Sequence, residues 1–159
     1  MTLDDDVGRL SRTRPFNLLP REAVQLIAFA SEKRRLKAGD TLFLAGETAD
    51  VGYFVHSGAI ALVADGAERE RRVGAGALIG ESALYAETER RVGARAAEDA
   101  VVIRIPRETF RRVLAEFPAG AEKIRTELAN RTHRLIDGLE AARAKSFEAP
   151  PAPRSSAAQ

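Results

Sequence analysis

The sequence predicts a mainly β fold with flanking helices: an antiparallel, jelly-roll-like β-roll with an N-terminal helix before it and C-terminal helices after it. Three observations lead there. Between about Thr41 and Ile105, short apolar runs are broken by Gly- and Asp-containing turns with no helical stretch between most of them, which points to a closed antiparallel roll rather than a βαβ sheet. Glycines stand at 39, 46, 52, 58, 66, 74, 76 and 80, where such a roll has to bend. On both sides of this block the apolar period becomes helical.

Each element has its own signal. "NLLPREAVQLIAF", from Asn17 to Phe29, reads as a helix with Leu19, Ala23, Leu26 and Ala30 on its stripe and Pro20 in its first turn. "EKRRLK" reads as a solvated charge run. "TLFLA", "VGYFVHS" and "AIALVA" are strands, rich in β-branched, aromatic and leucine residues. "KAGD" and "AGETADVG" are turns, and "DGAERE" is a hairpin connection. "VGARAAE" and "AVVIRI" form a later strand pair. "RETFRRVLAEF" is a short helix ending near Pro118, and a longer one follows from about Ala121 to Lys145 with Ile124, Leu128, Leu135 and Leu139 on one stripe. The expected organisation is a poorly ordered segment over 1–14, one domain over 15–146 and a disordered Pro/Ala-rich tail over 147–159.

Composition narrows the function. At 159 residues with 45% hydrophobic content, the chain can bury one real core. It has no cysteine, so neither a disulfide framework nor a thiolate metal site is available. The acidic start "MTLDDDVGRL" lacks the apolar core of a secretory signal, and no apolar run reaches the length of a membrane span, so the expected location is cytoplasmic. The net charge is only +2, which by itself argues for no nucleic-acid partner. Apart from Lys33, Lys37, Lys123 and Lys145 the cations are arginines, the residue suited to bidentate phosphate contacts.

The segment "LIGESALYAETERR", Leu78 to Arg91, concentrates a chemistry that a surface salt bridge does not require. A short helix opening at Gly80 leaves amide donors near Gly80, Glu81, Ser82 and Ala83 for a phosphate, and glycine lets that phosphate come close. A carboxylate at Glu81 disfavours the phosphate itself but accepts a ribose hydroxyl. An arginine opposite adds a charge-assisted contact. If "RRVGARA" is a strand, Arg90 shares a face with Val92, Ala94 and Ala96 and points inward, while Arg91 points out.

These residues resemble a known family. From Phe16 to about Arg143 the chain is similar to cyclic nucleotide-binding domains, the β-roll of catabolite activator protein and of protein kinase A regulatory subunits. "KAGDTLFLAGETADVGYFVHSGAIALV" matches the family's first half, and "IGESALYAETERR" its phosphate-binding cassette. The resemblance implies a ligand, cAMP or a related cyclic nucleotide such as cGMP, with Glu81 on the ribose, backbone groups of Gly80 and Ala83 and an arginine at 90 or 91 on the phosphate. It implies no catalysis, and a last helix that moves over the base; Leu135 or Leu139 are the candidates for an apolar lid. The family commonly has proline before the arginine and a hydroxyl residue shortly after it. Here Glu89, Arg91, Val92 and Gly93 stand there, so the hydroxyl that holds guanine is missing and selectivity is expected to lean to cAMP.

Each residue also has a plain reading: Gly80 as a turn, Glu81 as a helix-start charge, Arg90 as a surface cation. Their joint spacing is what singles them out. His56 is expected to be packed or at a rim, and His133 solvated; two distant histidines without cysteine argue against a metal site. Ser82 has no histidine beside it and is no nucleophile. The functional expectation is a stand-alone sensory domain, with an unknown protein partner and pairing of two copies through the last helix. One alternative is a degenerate roll that binds protein and no nucleotide. The other is a fragment of a transcription regulator of the catabolite-activator type, which requires a helix-turn-helix for DNA; only the Pro-rich stretch follows the last helix.

Overall fold

The computed structural model describes residues 2–64 and 69–148, the last eight by their backbone alone. The tail from 149 on, and most of the "DGAERE" connection, lie outside the described residues. Two compact units are formed, residues 1–121 and 122 onward.

The first unit begins with helix α1, Leu3–Leu10. This corrects the expectation of poor order over 1–14. Thr2 caps the helix: its hydroxyl accepts from the Asp5 amide at 3.2 Å, and its own amide donates to the Asp5 carboxylate at 3.1 Å. Asp4, Asp5 and Asp6 suit the helix start, and Val7 and Leu10, three apart, are fully buried. A one-turn 3-10 segment at Phe16–Leu18 leads to α2, Arg21–Ala30. Pro20 is extended and sits before the helix, so Leu19 precedes it. The buried stripe is Ala23, Val24, Ile27 and Ala28, while Leu26 is 41% exposed, which corrects the stripe read from spacing.

Among the described residues ten strands follow: β1 Glu32–Leu36, β2 Thr41–Phe43, β3 Thr48–Ala49, β4 Val51–Ser57, β5 Ala59–Ala64, β6 Glu70–Gly74, β7 Leu78–Ile79, β8 Thr88–Glu89, β9 Val92–Ala96 and β10 Ala100–Pro106. They pair antiparallel as β1-β10-β4-β7, β2-β9-β5-β6 and a short β3-β8 ribbon. The mainly β roll with flanking helices is therefore the observed architecture. The charged run at 32–36 is an edge strand after all. Its backbone pairs with β10 while its first four side chains remain exposed, a common way of keeping an edge soluble. The inner faces of the two larger sheets meet in a core that includes Phe43, Tyr53, Val55, Ile60, Ala94, Ala96 and Val102. At Gly58, φ is +83° and a Cβ would collide with the Asp99 carbonyl, so only glycine closes the β4–β5 turn.

After β10, α3 spans Arg107–Glu116 and buries Phe110 and Val113. Helix α4, Pro118–Glu148, leads into the second unit. Along it exposure rises from buried Ile124 to Leu135 and Leu139, 67% and 66% exposed.

Candidate functional site

A cavity of about 310 Å³ lies within the first unit, bounded by Phe43, Leu62, Arg71, Val73, Ile79, Gly80, Ser82, Thr88, Arg90 and Arg91 among others. Strand register explains its floor. Phe43 pairs with Ala94, Ala94 with Leu62 and Leu62 with Arg71, so these four form one row across four strands. Phe43 and Ala94 belong to the core, which makes this the inner face. Ala96, Ile60 and Val73 form the next inner row.

One wall is the cassette. Gly80 adopts a left-handed conformation, φ +74° and ψ +38°, and starts a 3-10 turn over Glu81–Leu84. A Cβ at this position would overlap the Arg90 guanidinium, so the glycine is required both by its dihedral and by the arginine's approach. Ala83 is fully buried, and its amide donates to the Gly80 carbonyl at 3.0 Å. The Glu81 carboxylate accepts from the Tyr85 hydroxyl at 2.5 Å.

Arg90 is held from both ends. Its amide donates to the Glu47 carbonyl and its carbonyl accepts from the Gly46 amide, each at 2.8 Å. Its Nη2 donates to the Val51 carbonyl at 2.7 Å, and the guanidinium carbon stands 4.2 Å above the Phe43 ring centre. Burial pushes its pKa down, with Tyr53, Asp50 and Glu47 pulling the other way. A guanidinium starts so high that it stays charged at neutral pH. A half-buried, fixed cation against an aromatic ring is a suitable seat for a phosphate oxygen.

The structure thus brings Gly80, Ser82, Arg90 and Arg91 to one cavity. Glu81 and Ala83 sit in the same turn but do not line it. Leu135 and Leu139 belong to the second unit. Arg90 is the more enclosed of the two arginines and Arg91 is exposed, but β9 starts only at Val92 and Arg91 lies in the bend before it. Alternation therefore accounts for buried Ala94 and Ala96 and exposed Arg95 and not for the two arginines, which corrects the reading of "RRVGARA" as one strand. Sequence reasoning missed Thr88 and Arg71. Thr88 supplies a hydroxyl residue three positions before the expected place. Arg71 was detectable from "ERRVG": period two puts it on the inner face with Val73.

His56 is packed, as expected of it: it is buried on β4, with Nε2 3.1 Å from Asp6. No cluster of three or more metal-ligating side chains occurs among the described residues. No described helix is long and apolar enough to cross a membrane.

Comparison with known proteins agrees with this geometry. Residues 33–117 match the model of the cyclic nucleotide-binding domain. A cyclic nucleotide-binding-like protein from Brucella abortus is 42% identical, with 70% of this chain and 99% of that one aligned at a TM-score of 0.65. The N-terminal domain of a transcriptional regulator from Streptomyces coelicolor is 26% identical over 82% of this chain and 94% of its own, with a TM-score of 0.75. The chain belongs to the cyclic nucleotide-binding domain family. Lysophospholipase NTE1 of Chaetomium globosum is 34% identical over 125 residues, 76% of this chain. The chain spans only 8% of that relative's length, and 17% of similar mycobacterial proteins.

Proposed function

We propose that this chain is a non-catalytic sensory domain that binds a cyclic nucleoside monophosphate and signals its presence through α4. The observation that carries this reading is the convergence of Arg90, Gly80 and Ser82 on one cavity whose floor is apolar apart from Arg71. In this reading Arg90 and cassette amides hold the phosphate, and Glu81 accepts the ribose hydroxyl. The base lies over Leu62 and Val73, with Leu135 or Leu139 as its lid. The missing hydroxyl at 91–93 favours cAMP, and Thr88 is the wall residue able to offset that preference. Of the stripe Ile124, Leu128, Leu135 and Leu139, Ile124 is already buried within the chain, and half-buried Leu128 with exposed Leu135 and Leu139 is the part that suits pairing with a second copy. A cytoplasmic location completes the proposal.

Calorimetric titration with cAMP and cGMP tests the reading, and heat from neither rejects it. Equal or tighter cGMP binding rejects the cAMP preference alone. Hydrogen exchange separates sensing from passive binding: ligand-dependent protection between about Ala121 and Ala144 supports an output helix, whereas protection confined to the cassette removes it from the proposal. A roll that binds protein and no nucleotide is the second reading. It is favoured by the Glu81–Tyr85 bond, which ties one oxygen of the expected ribose acceptor to the cassette's own turn.

A further inference from the structure

We infer that Tyr85 is a positioning residue that holds the Glu81 carboxylate turned away from the cavity, so that the carboxylate reaches a ribose hydroxyl there only by turning away from the phenol. The inference rests on the proposed cyclic-nucleotide binding and adds to it a competitor built into the cassette. Gly80 and Ser82 line the cavity, and Glu81 between them does not. Its carboxylate instead takes the Tyr85 hydroxyl at 2.5 Å, a short charge-assisted bond across one turn.

The phenol is itself anchored. Its ring packs edge-on against Phe110 of α3, with centroids 6.0 Å apart at 67°. Phe110 is fully buried and packs on Phe16 at 5.9 Å. The Tyr85 carbonyl accepts from Arg111 at 3.2 Å, and Arg107 donates to the Ala83 carbonyl at 3.2 Å. Tyr85 therefore cannot follow the carboxylate if that group turns towards a ligand. A phenol is also a better donor than the alcohol of a ribose, so the exchange costs part of the ribose contact. Coupling of this kind is reciprocal. A ligand that captures Glu81 loosens the turn from α3, and a shift of α3 that withdraws Tyr85 releases Glu81 to the ligand.

The experiment compares cAMP with its 2′-deoxy analogue on the wild-type chain and on Tyr85→Phe, which keeps the ring on Phe110 and removes only the hydroxyl. The variant is expected to bind cAMP about threefold to tenfold more tightly, the usual worth of one hydrogen bond, with the deoxy analogue unchanged. General loosening of the cassette would move both nucleotides together. In a Glu81→Ala background the same change should have no effect on either. If wild-type protein binds cAMP and the ratio of the two affinities stays constant or falls in Tyr85→Phe, the inference is overturned and the binding function stands. If wild-type protein binds neither nucleotide, both fall.

Discussion

The two large sheets of the roll are built differently. In β1-β10-β4-β7 the central strand β4 is covered on both faces, although the edge strand β1 is exposed: every residue from Val51 to His56 is buried, with Tyr53 and Val55 in the core and Phe54 and His56 on the opposite face. In β2-β9-β5-β6 only one face is dry. Strand β6 is exposed except at half-buried Val73, and the outward Glu70 pairs with Arg95 and Arg72. The cavity uses the inner row of this second sheet. Hydrophobic burial on two faces fixes the centre of the first sheet, whereas the second is buried on one face alone.

The largest effect should come from breaking the covered sheet. Phe54 is fully buried, so Phe54→Ala should cost about 3–5 kcal/mol in chemical unfolding. Val73→Ala on the open sheet should cost about 1 kcal/mol, since half-burial recovers only part of the transfer energy. Similar losses at the two sites would show that the sheets carry stability equally.

Arg90→Ala comes next and acts on binding. Losing a charge-assisted contact of about 1.5–3 kcal/mol should weaken nucleotide at least tenfold, with a smaller loss of stability as the Val51 carbonyl loses its donor. Titration curves identical to the wild type would remove Arg90 from the site. Gly80→Ala should affect both properties. A left-handed alanine costs roughly 1–2 kcal/mol, and its Cβ would also push the Arg90 guanidinium off its seat. A variant that loses stability but keeps full affinity would show that the seat is not needed.

The covered sheet also predicts an acid response. His56 lies against Asp6 and Arg9 of α1 and Lys33 of β1. Burial holds its pKa below 6.5, helped by Arg9 and Lys33 and opposed by Asp6. Its Nδ1 has no partner among the described residues, so a second N–H would find no acceptor. The sign follows: the unfolded chain takes up this proton first as pH falls below 6.5. The stability that neutral His56 contributes is complete above that range and is lost as pH falls towards the folded pKa. Unfolding at pH 7.5 and 5.5 should show the loss, and His56→Gln should flatten the difference. Hydrogen exchange should rise first in residues 3–10, because Asp6 ties α1 to this histidine. Equal pH slopes in both proteins would remove His56 as the cause.

What was legible in the sequence follows the same division. "VGYFVHS" and "AVVIRI" are continuous apolar runs, and their strands emerged at nearly the expected bounds because burial on both faces leaves a strong signal. β1 and β6 are charged strands at sheet edges, held by backbone pairing that carries no side-chain signature, and both were missed. At the site, the spacing of Gly80 to Arg90 was readable because it lies within one short segment. Arg71 reaches the cavity through the hairpin pairing of β5 with β6: period two puts it on a face with Val73, but which face lines the cavity depends on that pairing. The Glu81–Tyr85 bond depends on where a flexible carboxylate turns, and both a ribose-side and a phenol-side orientation agree with the same four-residue spacing.

The smallest expected effect is at Arg91. It lies in the bend before β9 and is exposed at the cavity rim, where water competes for the guanidinium. Arg90 has a ring beneath it, a carbonyl at 2.7 Å and both backbone groups clasped. Arg91→Ala should therefore weaken nucleotide by less than about threefold, the size of an exposed ion pair. That small difference should shrink further as salt shortens the screening length to a few ångströms, whereas the Arg90→Ala defect should persist. A larger, salt-sensitive loss at Arg91 than at Arg90 would place the ligand's negative charge at the mouth of the cavity, and the half-buried arginine would then serve to brace Phe43 and Val51 beneath it.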